Sequence, residues 1–364
     1  MLKKAKVLGR LITSQANLKL AKGEFMKEIN EKARELMKGY CRVCPVCDGK
    51  ACRSEVPGMG GIGTGSSFEE NYNALKKIKL NMKLIHKVTS PDTSINLFGK
   101  HLDMPVLAAP IGGVAYNMGG KISESQYADS IVLGCKSKNI MGTTGDGVPD
   151  EIHLAGLDAL KKAGGHSIPF IKPWEDKELF EKLEKVHKSG ADYVGMDIDA
   201  AGLITLGLMG RPVSPKTPEK LKEIIQSTPI KFIVKGVMTV EDAVLAVEAG
   251  AYGIVVSNHG GRVLDFSPGT AEVLPAIASS LKGKAVILVD GGVRTGTDVL
   301  KMLALGADAV MLGRPFTIAA MGGLQTGVEK LIDKIKSDLI QAMILTGTAS
   351  VSNVSNSVIY HGFS

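Results

Sequence analysis

Between residues 105 and 312 one unit recurs: a short, uninterrupted apolar run followed by a helix-like stretch. The runs are Pro105–Ala109, Asn139–Gly142, Ser167–Ile171, Tyr193–Ile198, Lys231–Lys235, Tyr252–Ser257, Ala285–Asp290 and Ala309–Leu312. Each is too short for a helix and lacks the alternation of a strand with one wet face. Strands of a parallel sheet, buried on both sides, read this way. Stretches such as TVEDAVLAVEAG and TGTDVLKMLALG lie between them and end in Ala-Gly or Leu-Gly, a helix C-cap signature. Eight strand–helix units exceed the usual open sheet and predict closure into an α/β TIM (β/α)8 barrel. Function in such a barrel lies where strands end and their loops begin, so candidate residues are sought there.

The residues ahead of the barrel have a different character. GEFMKEINEKARELMKGY, residues 23–40, reads as a helix with one apolar stripe, and the glycine-rich loop VPGMGGIGTG follows a cluster of cysteines. SSFEENYNALKKIKL opens a second helix, with Ser67 and Glu70 at capping-box spacing. The expected division is an N-terminal helical, Cys-rich arm over residues 1–66 and a cofactor-binding barrel over 67–364. No run of about 18 apolar residues predicts a membrane span. The basic start is interrupted by Gly9 and Arg10, unlike a secretory signal, so a cytoplasmic protein is expected. The net charge is +7 with dispersed lysines, and only 5% of residues are aromatic. Both speak against nucleic acid and toward small anionic substrates.

Four of the five cysteines, Cys41, Cys44, Cys47 and Cys52, fall in one short stretch; Cys135 stands apart. Disulfides are rare in the cytosol, so the cluster reads as metal-binding or redox-active. Its C-x2-C-x2-C-x4-C spacing is close to the bacterial iron–sulfur run, whereas zinc sites are usually built from two separated pairs. Either metal remains open at this point.

Six strand ends carry distinctive chemistry. The first reads Ala109-Pro110-Ile111-Gly112-Gly113; the fourth carries Asp197 and Asp199; the fifth ends in Lys235-Gly236. The sixth continues as Ser257-Asn258-His259-Gly260-Gly261-Arg262, the seventh as Asp290-Gly291-Gly292-Val293-Arg294, and the eighth as Gly313-Arg314-Pro315. Glycine turns with an arginine after strands seven and eight form a phosphate site. Lys235 closes an apolar strand, where a buried ammonium requires an anionic partner. His259 can take a proton near neutral pH, and Arg262 can clamp a carboxylate through two parallel hydrogen bonds.

The stretch from IKFIVKGVMTVEDAV through SNHGGRVLDFSPGT to VDGGVRTGTDVLKMLALGADAVMLGRP closely resembles the FMN-dependent α-hydroxy acid oxidase and dehydrogenase family, which includes glycolate oxidase and lactate oxidase. SNHGGR is that family's active-site signature. The resemblance is strong over residues 230–350, moderate over 68–145, and fades before residue 55. It implies a barrel holding FMN and oxidising a 2-hydroxy acid to the 2-oxo acid, with electrons passing through FMN to oxygen or another acceptor. It places the catalytic base on His259, its orienting aspartate on Asp199, the flavin lysine on Lys235 and the carboxylate clamp on Arg262. It places flavin contacts on Ala109, Pro110, Ile111, Ser257, the segment Asp290, Gly291, Gly292, Val293, Arg294, and on Gly313 and Arg314. It also implies a homo-oligomer, a tetramer.

The chain departs from the family in its substrate pocket. Where members carry a tyrosine ahead of the barrel, this chain reads SEVPGMGGIGTG. Where they carry another after the third strand it reads FIKPWED, which puts Lys172 or Trp174 near the substrate; Lys172 is the candidate contact. Where they carry a second substrate arginine in a long loop after the fourth strand, the segment AAGLITLGLMGRPVSPKTPEK is short and apolar, and Arg211 lies too far along to match it. Two other readings compete. One is a different FMN or phosphate-binding barrel, of the type 2 isopentenyl diphosphate isomerase or inosine monophosphate dehydrogenase kind, which would not need the His259–Arg262 pair. The other is a non-catalytic flavin- or metal-binding regulator.

Overall fold

The computed structural model describes residues 24–203, 206 and 209–362. Eight parallel strands form a single sheet: β1 (Val106–Ala108), β2 (Gly142–Thr144), β3 (Ser167–Ile171), β4 (Tyr193–Asp197), β5 (Lys231–Val237), β6 (Gly253–Val256), β7 (Val286–Val289) and β8 (Ala309–Leu312). Each pairs with its sequence neighbours, and β8 returns to β1 through Val310↔Val106. Closure between β1 and β2 runs through the bridge Leu107↔Met141, with the Ala108 N–H donating to the Met141 carbonyl at 3.3 Å. The structure is the predicted barrel.

Alternation along the strands separates two apolar layers. Leu107, Phe170, Ile233, Val255, Leu288 and Met311 point inward and fill the barrel. Val106, Val194, Val234, Ile254, Val289 and Val310 face outward to the helices. A hairpin, Ile95–Leu97 with Lys100–Leu102, plugs the barrel floor, and its Phe98 ring lies 4.9 Å from that of Tyr193.

Among the described residues, the helices longer than one turn are α1 (Glu24–Leu36), α2 (Ser66–Lys77), α3 (Glu124–Ser137), α4 (Asp150–Lys162), α5 (Asp176–Lys188), α6 (Pro218–Gln226), α7 (Val240–Glu248), α8 (Thr270–Leu281), α9 (Gly296–Ala304) and α10 (Arg314–Thr346). Helices α3 to α10 follow β1 to β8 in turn. Helix α10 is broken at Leu324, whose φ is 49°. Two expectations need correction. The second strand lies at 142–144 rather than 139–142, because Asn139 adopts φ 51° at the end of α3 and β2 can begin only after it. Ser67 does not cap α2: the N-cap is Gly65, and the Ser67 hydroxyl instead donates to the Leu264 carbonyl at 2.8 Å.

The described part of the arm, from Glu24, packs α1 along α10 and then crosses the C-terminal mouth of the barrel. Arg34 donates to the Arg42 and Val43 carbonyls, and Arg42 forms a two-pronged pair with Glu55 at 2.6 Å on each prong.

Candidate active site

A cavity of about 1410 Å³, counting its open mouth, occupies the C-terminal end of the barrel. Every residue assigned to the cofactor lines it except Ser257, and so do His259, Arg262 and Lys172. Ser257 lies behind the wall, fully buried, where its hydroxyl accepts from the His259 N–H at 3.1 Å. Trp174 is buried away from the cavity, its indole N–H donating to Asp146 at 2.6 Å. Arg211 pairs with Glu178 and lies over the Trp174 ring. Of the three substitutes for the family's pocket residues, only Lys172 faces the cavity.

His259 is held in a left-handed conformation, φ 56°, followed by Gly260 and Gly261 at 65° and 77°. Three such residues in a row are strained for anything but glycine. The turn lets the Gly261 backbone come up against α2, where a Cβ would stand 2.3 Å from the Phe68 nitrogen. It also aims the imidazole: His259 Nδ1 lies 2.9 Å from Asp199 Oδ1, which leaves Nε2 as the free ring nitrogen. Asp199 reaches the histidine because Gly236, at φ 103° in a bulge of β5, has no side chain; a Cβ there would meet Asp199 at 2.6 Å. Burial lowers the His259 pKa and keeps the ring neutral, although Asp199 pulls the other way.

Beneath the histidine lies a chain of buried charges. Lys172 Nζ contacts Asp197 Oδ2 at 2.7 Å, Asp197 Oδ1 faces Lys235 Nζ at 3.3 Å, and Lys235 reaches Asp290 Oδ2 at 3.8 Å. Burial works against the Lys235 charge, but Asp197, Asp199 and Asp290 outweigh it and hold the ammonium protonated. Burial would likewise neutralise Asp197; Lys172 and Lys235 keep it ionised, well below the usual carboxylate range. Asp290 is pushed up by burial. Single removal from such a chain leaves a buried charge without its partner.

Arg262 reaches into the arm. It donates to the Gly58 carbonyl, to the Gly60 carbonyl at 3.2 Å and to Asn117 Oδ1 at 3.0 Å. These acceptors are neutral, and burial pushes the guanidinium pKa down to about 9. Arg314 is similar: it donates to Met59, Gly60 and Gly260 carbonyls, lies over the Phe68 ring at 3.7 Å, and is pushed down to about 10 by burial. Two desolvated cations held by carbonyl dipoles favour an incoming anion.

The sequence reading did not single out Asp146, Asn117 or the Asp197 ion pairs. Asp146 follows β2 in the run GTTGDG and accepts from the Lys172 N–H, Trp174 and Lys182. A carboxylate inside an apolar strand, as Asp197 is in YVGMDI, was the available signal, since it must find a cation.

The four clustered cysteines are unpaired and partly buried. Burial raises the Cys52 thiol to about 11, so it is not an activated nucleophile. Among the described residues, the side chains whose donor atoms converge within 4.8 Å as a metal-ligating group are Asp197, Asp199 and His259, and the cysteines are not so gathered.

Residues 58–205 and 207–361 match the family profile described as FMN-dependent dehydrogenase. The chain belongs to the FMN-dependent dehydrogenase family. It is 33% identical to a 2-hydroxyacid oxidase of Dictyostelium discoideum, covering 81% of this chain and 82% of that protein. It is 32% identical to an L-lactate oxidase of Lacticaseibacillus rhamnosus, covering 81% and 86%. Among solved structures, mandelate oxidase superposes with a TM-score of 0.74 at 26% identity, covering 92% of this chain and 97% of that one. A flavocytochrome b2 double mutant with pyruvate bound gives 0.70 at 28% identity, covering 82% and 80%. Members of the FMN-dependent dehydrogenase family use FMN, and the cavity of this member fits it. Among the described residues, Asp290 Oδ1 and Arg294 Nε are buried without hydrogen-bond partners, an acceptor and a donor on the wall where a ribityl chain and a phosphate would be held. Gly291, Gly292 and Gly313 leave backbone open to the cavity between them. No described helix is long and apolar enough to cross a membrane.

Proposed function

We propose that this chain oxidises a 2-hydroxy acid carrying an apolar side chain to the 2-oxo acid, using FMN. The observation that carries the reading is a neutral, Asp199-bound His259 lining the same cavity as the partly buried guanidinium of Arg262, which has no carboxylate partner among the described residues. FMN, when bound, supplies the two-electron acceptor. Asp290 to Arg294, Gly313 and Arg314 hold its phosphate and ribityl chain, and Ala109 to Ile111 line the opposite side. The Lys235 ammonium favours negative charge beside it. Arg262, joined by Lys172, takes the substrate carboxylate. His259 Nε2 accepts the proton, and Asp199 fixes the tautomer and stabilises the imidazolium that results.

Val56, Pro57, Ile152, Leu203, Leu206 and Met209 surround the mouth, and this supports an apolar substituent on the substrate. The residues through 66 act as an arm serving the barrel of 67–364. The cysteine segment of that arm is a candidate iron–sulfur or zinc site. We place the protein in the cytoplasm as a homo-oligomer. The test is to identify the flavin released on denaturation and to follow anaerobic bleaching by a panel of 2-hydroxy acids. FMN release and bleaching by acids with apolar side chains are expected. FAD, or flavin that no hydroxy acid bleaches, would overturn the reading.

A further inference from the structure

The arm's cysteine loop is laid against the cofactor end of the barrel. Gly49, at the centre of the loop, sits so close to Phe68 that a Cβ would stand 2.8 Å from the ring. The same ring carries the Arg314 guanidinium at 3.7 Å, with that of Arg294 at 5.9 Å. Arg294 also donates to the Cys47 carbonyl at 3.2 Å and to Cys47 Sγ at 3.5 Å. Arg294 therefore stands between the Cys47 thiol and the cavity, and both arginines line that cavity.

Two of the sulfurs already accept N–H donors, while the Cys52 thiol donates to the Gly49 carbonyl at 3.7 Å. Val43 N–H points at Cys41 Sγ at 3.4 Å, and Arg294 at Cys47 Sγ. Hydrogen bonds to sulfur, and nearby cations, stabilise the net negative charge of a thiolate-ligated cluster and set its potential. Four thiols in one short run are the ligand set that such a cluster takes. The single run of closely spaced cysteines matches that ligand pattern better than the two separated pairs of a zinc site.

We propose that Cys41, Cys44, Cys47 and Cys52 bind an iron–sulfur cluster that conducts electrons out of the flavin site to a one-electron carrier protein. This rests on the flavin-oxidoreductase reading. Oxidation of the hydroxy acid breaks its C–H and O–H bonds and releases two electrons and two protons. The protons leave by way of His259 and solvent. The electrons leave one at a time through the cluster, reducing two equivalents of the carrier and returning the flavin to its oxidised form. The enzyme is then a dehydrogenase rather than an oxygen-consuming oxidase.

The test uses the full chain purified without oxygen, with iron, acid-labile sulfide, zinc and FMN measured on one sample. About four irons and four sulfides per chain are expected, the content of a four-thiolate cubane. Adding the bleaching hydroxy acid with no other reductant should then produce the paramagnetic resonance signal of a reduced cluster. Cys44→Ser should lose iron and sulfide while keeping FMN and its bleaching by substrate. Stoichiometric zinc, or a chain that takes up neither iron nor sulfide on anaerobic reconstitution, overturns the centre. This result comes from the parent chain and does not depend on the variant folding. A cluster that dithionite reduces and substrate does not overturns the conducting role. Failure of every hydroxy acid to bleach the flavin would instead strike the proposed function and leave the metal analysis standing.

Discussion

In the proposed reaction His259 must be uncharged when it meets substrate, and burial favours that form. The sign of its pH dependence follows. A histidine whose pKa is lowered keeps its basic form to lower pH, so the acid limb of flavin reduction should lie below the ordinary imidazole value of about 6.5. Asp199 works against burial, so Asp199→Asn should move that limb lower still and slow reduction by releasing the tautomer. His259→Gln should keep FMN and lose at least about a hundredfold in flavin reduction, the scale of a lost general base. Stopped-flow bleaching measures all three, and near-normal reduction in the glutamine variant would remove the role. Arg262→Lys keeps a charge but cannot span the Gly58, Gly60 and Asn117 acceptors while presenting two parallel donors to a carboxylate. The substrate concentration for half-maximal bleaching should rise at least about tenfold. An unchanged value would mean that the carboxylate binds elsewhere.

At the scale of elements, the barrel strands were legible because each is an apolar run with polar chemistry at one end, a pattern set by burial on both faces and open to direct reading. What escaped was set by partners far along the chain. Ser67 has the spacing of a cap, but its hydroxyl is taken by Leu264 and Ser267, roughly two hundred residues away, and Gly65 ends up as the cap. The arm's hold on Arg262 and Arg314 is likewise made of backbone carbonyls, which no side-chain pattern announces. Glu124, at the start of α3, is another such case. It accepts from the Val114 N–H, supporting the turn after β1 that lines the cavity, and burial raises its pKa to about 7. In the unfolded chain it ionises near its ordinary 4.5. Between those values the unfolded chain has given up the proton and the folded chain has not, so this group lowers stability as pH rises from about 4.5 to 7, with no further loss above. Glu124→Gln keeps the acceptor and removes the titration. The variant should exceed its parent at pH 8 by about 1–3 kcal/mol, with the gap closing toward pH 4.5. Melting temperatures across that range check it, and parallel curves would assign the group no such role.

At the scale of the molecule, arm and barrel meet at two places, along α10 and over the mouth, so displacement at the first should be felt at the second. Helix α1 crosses α10 at Gly322, where a Cβ would stand 2.0 Å from the Ile29 carbonyl oxygen. That neighbour is backbone and cannot rotate aside. Gly322→Ala must therefore push α1 off, at a cost of about 1–3 kcal/mol typical of overpacking. The arm continues from α1 through the cysteine loop to Gly58, Met59 and Gly60, whose carbonyls orient Arg262 and Arg314. A lifted helix should loosen those contacts although Gly322 lies outside the cavity lining. The expected result is a lower melting temperature, faster proteolysis between α1 and α2, and weaker substrate binding in the bleaching assay, while the barrel keeps its FMN. Weaker binding with an unchanged melting temperature would contradict the mechanical route. A lowered melting temperature with substrate binding intact would show that the carbonyls over the mouth are held by the loop's own contacts, Arg42 with Glu55 and Met59 N–H with the Tyr40 carbonyl, rather than by the docking of α1.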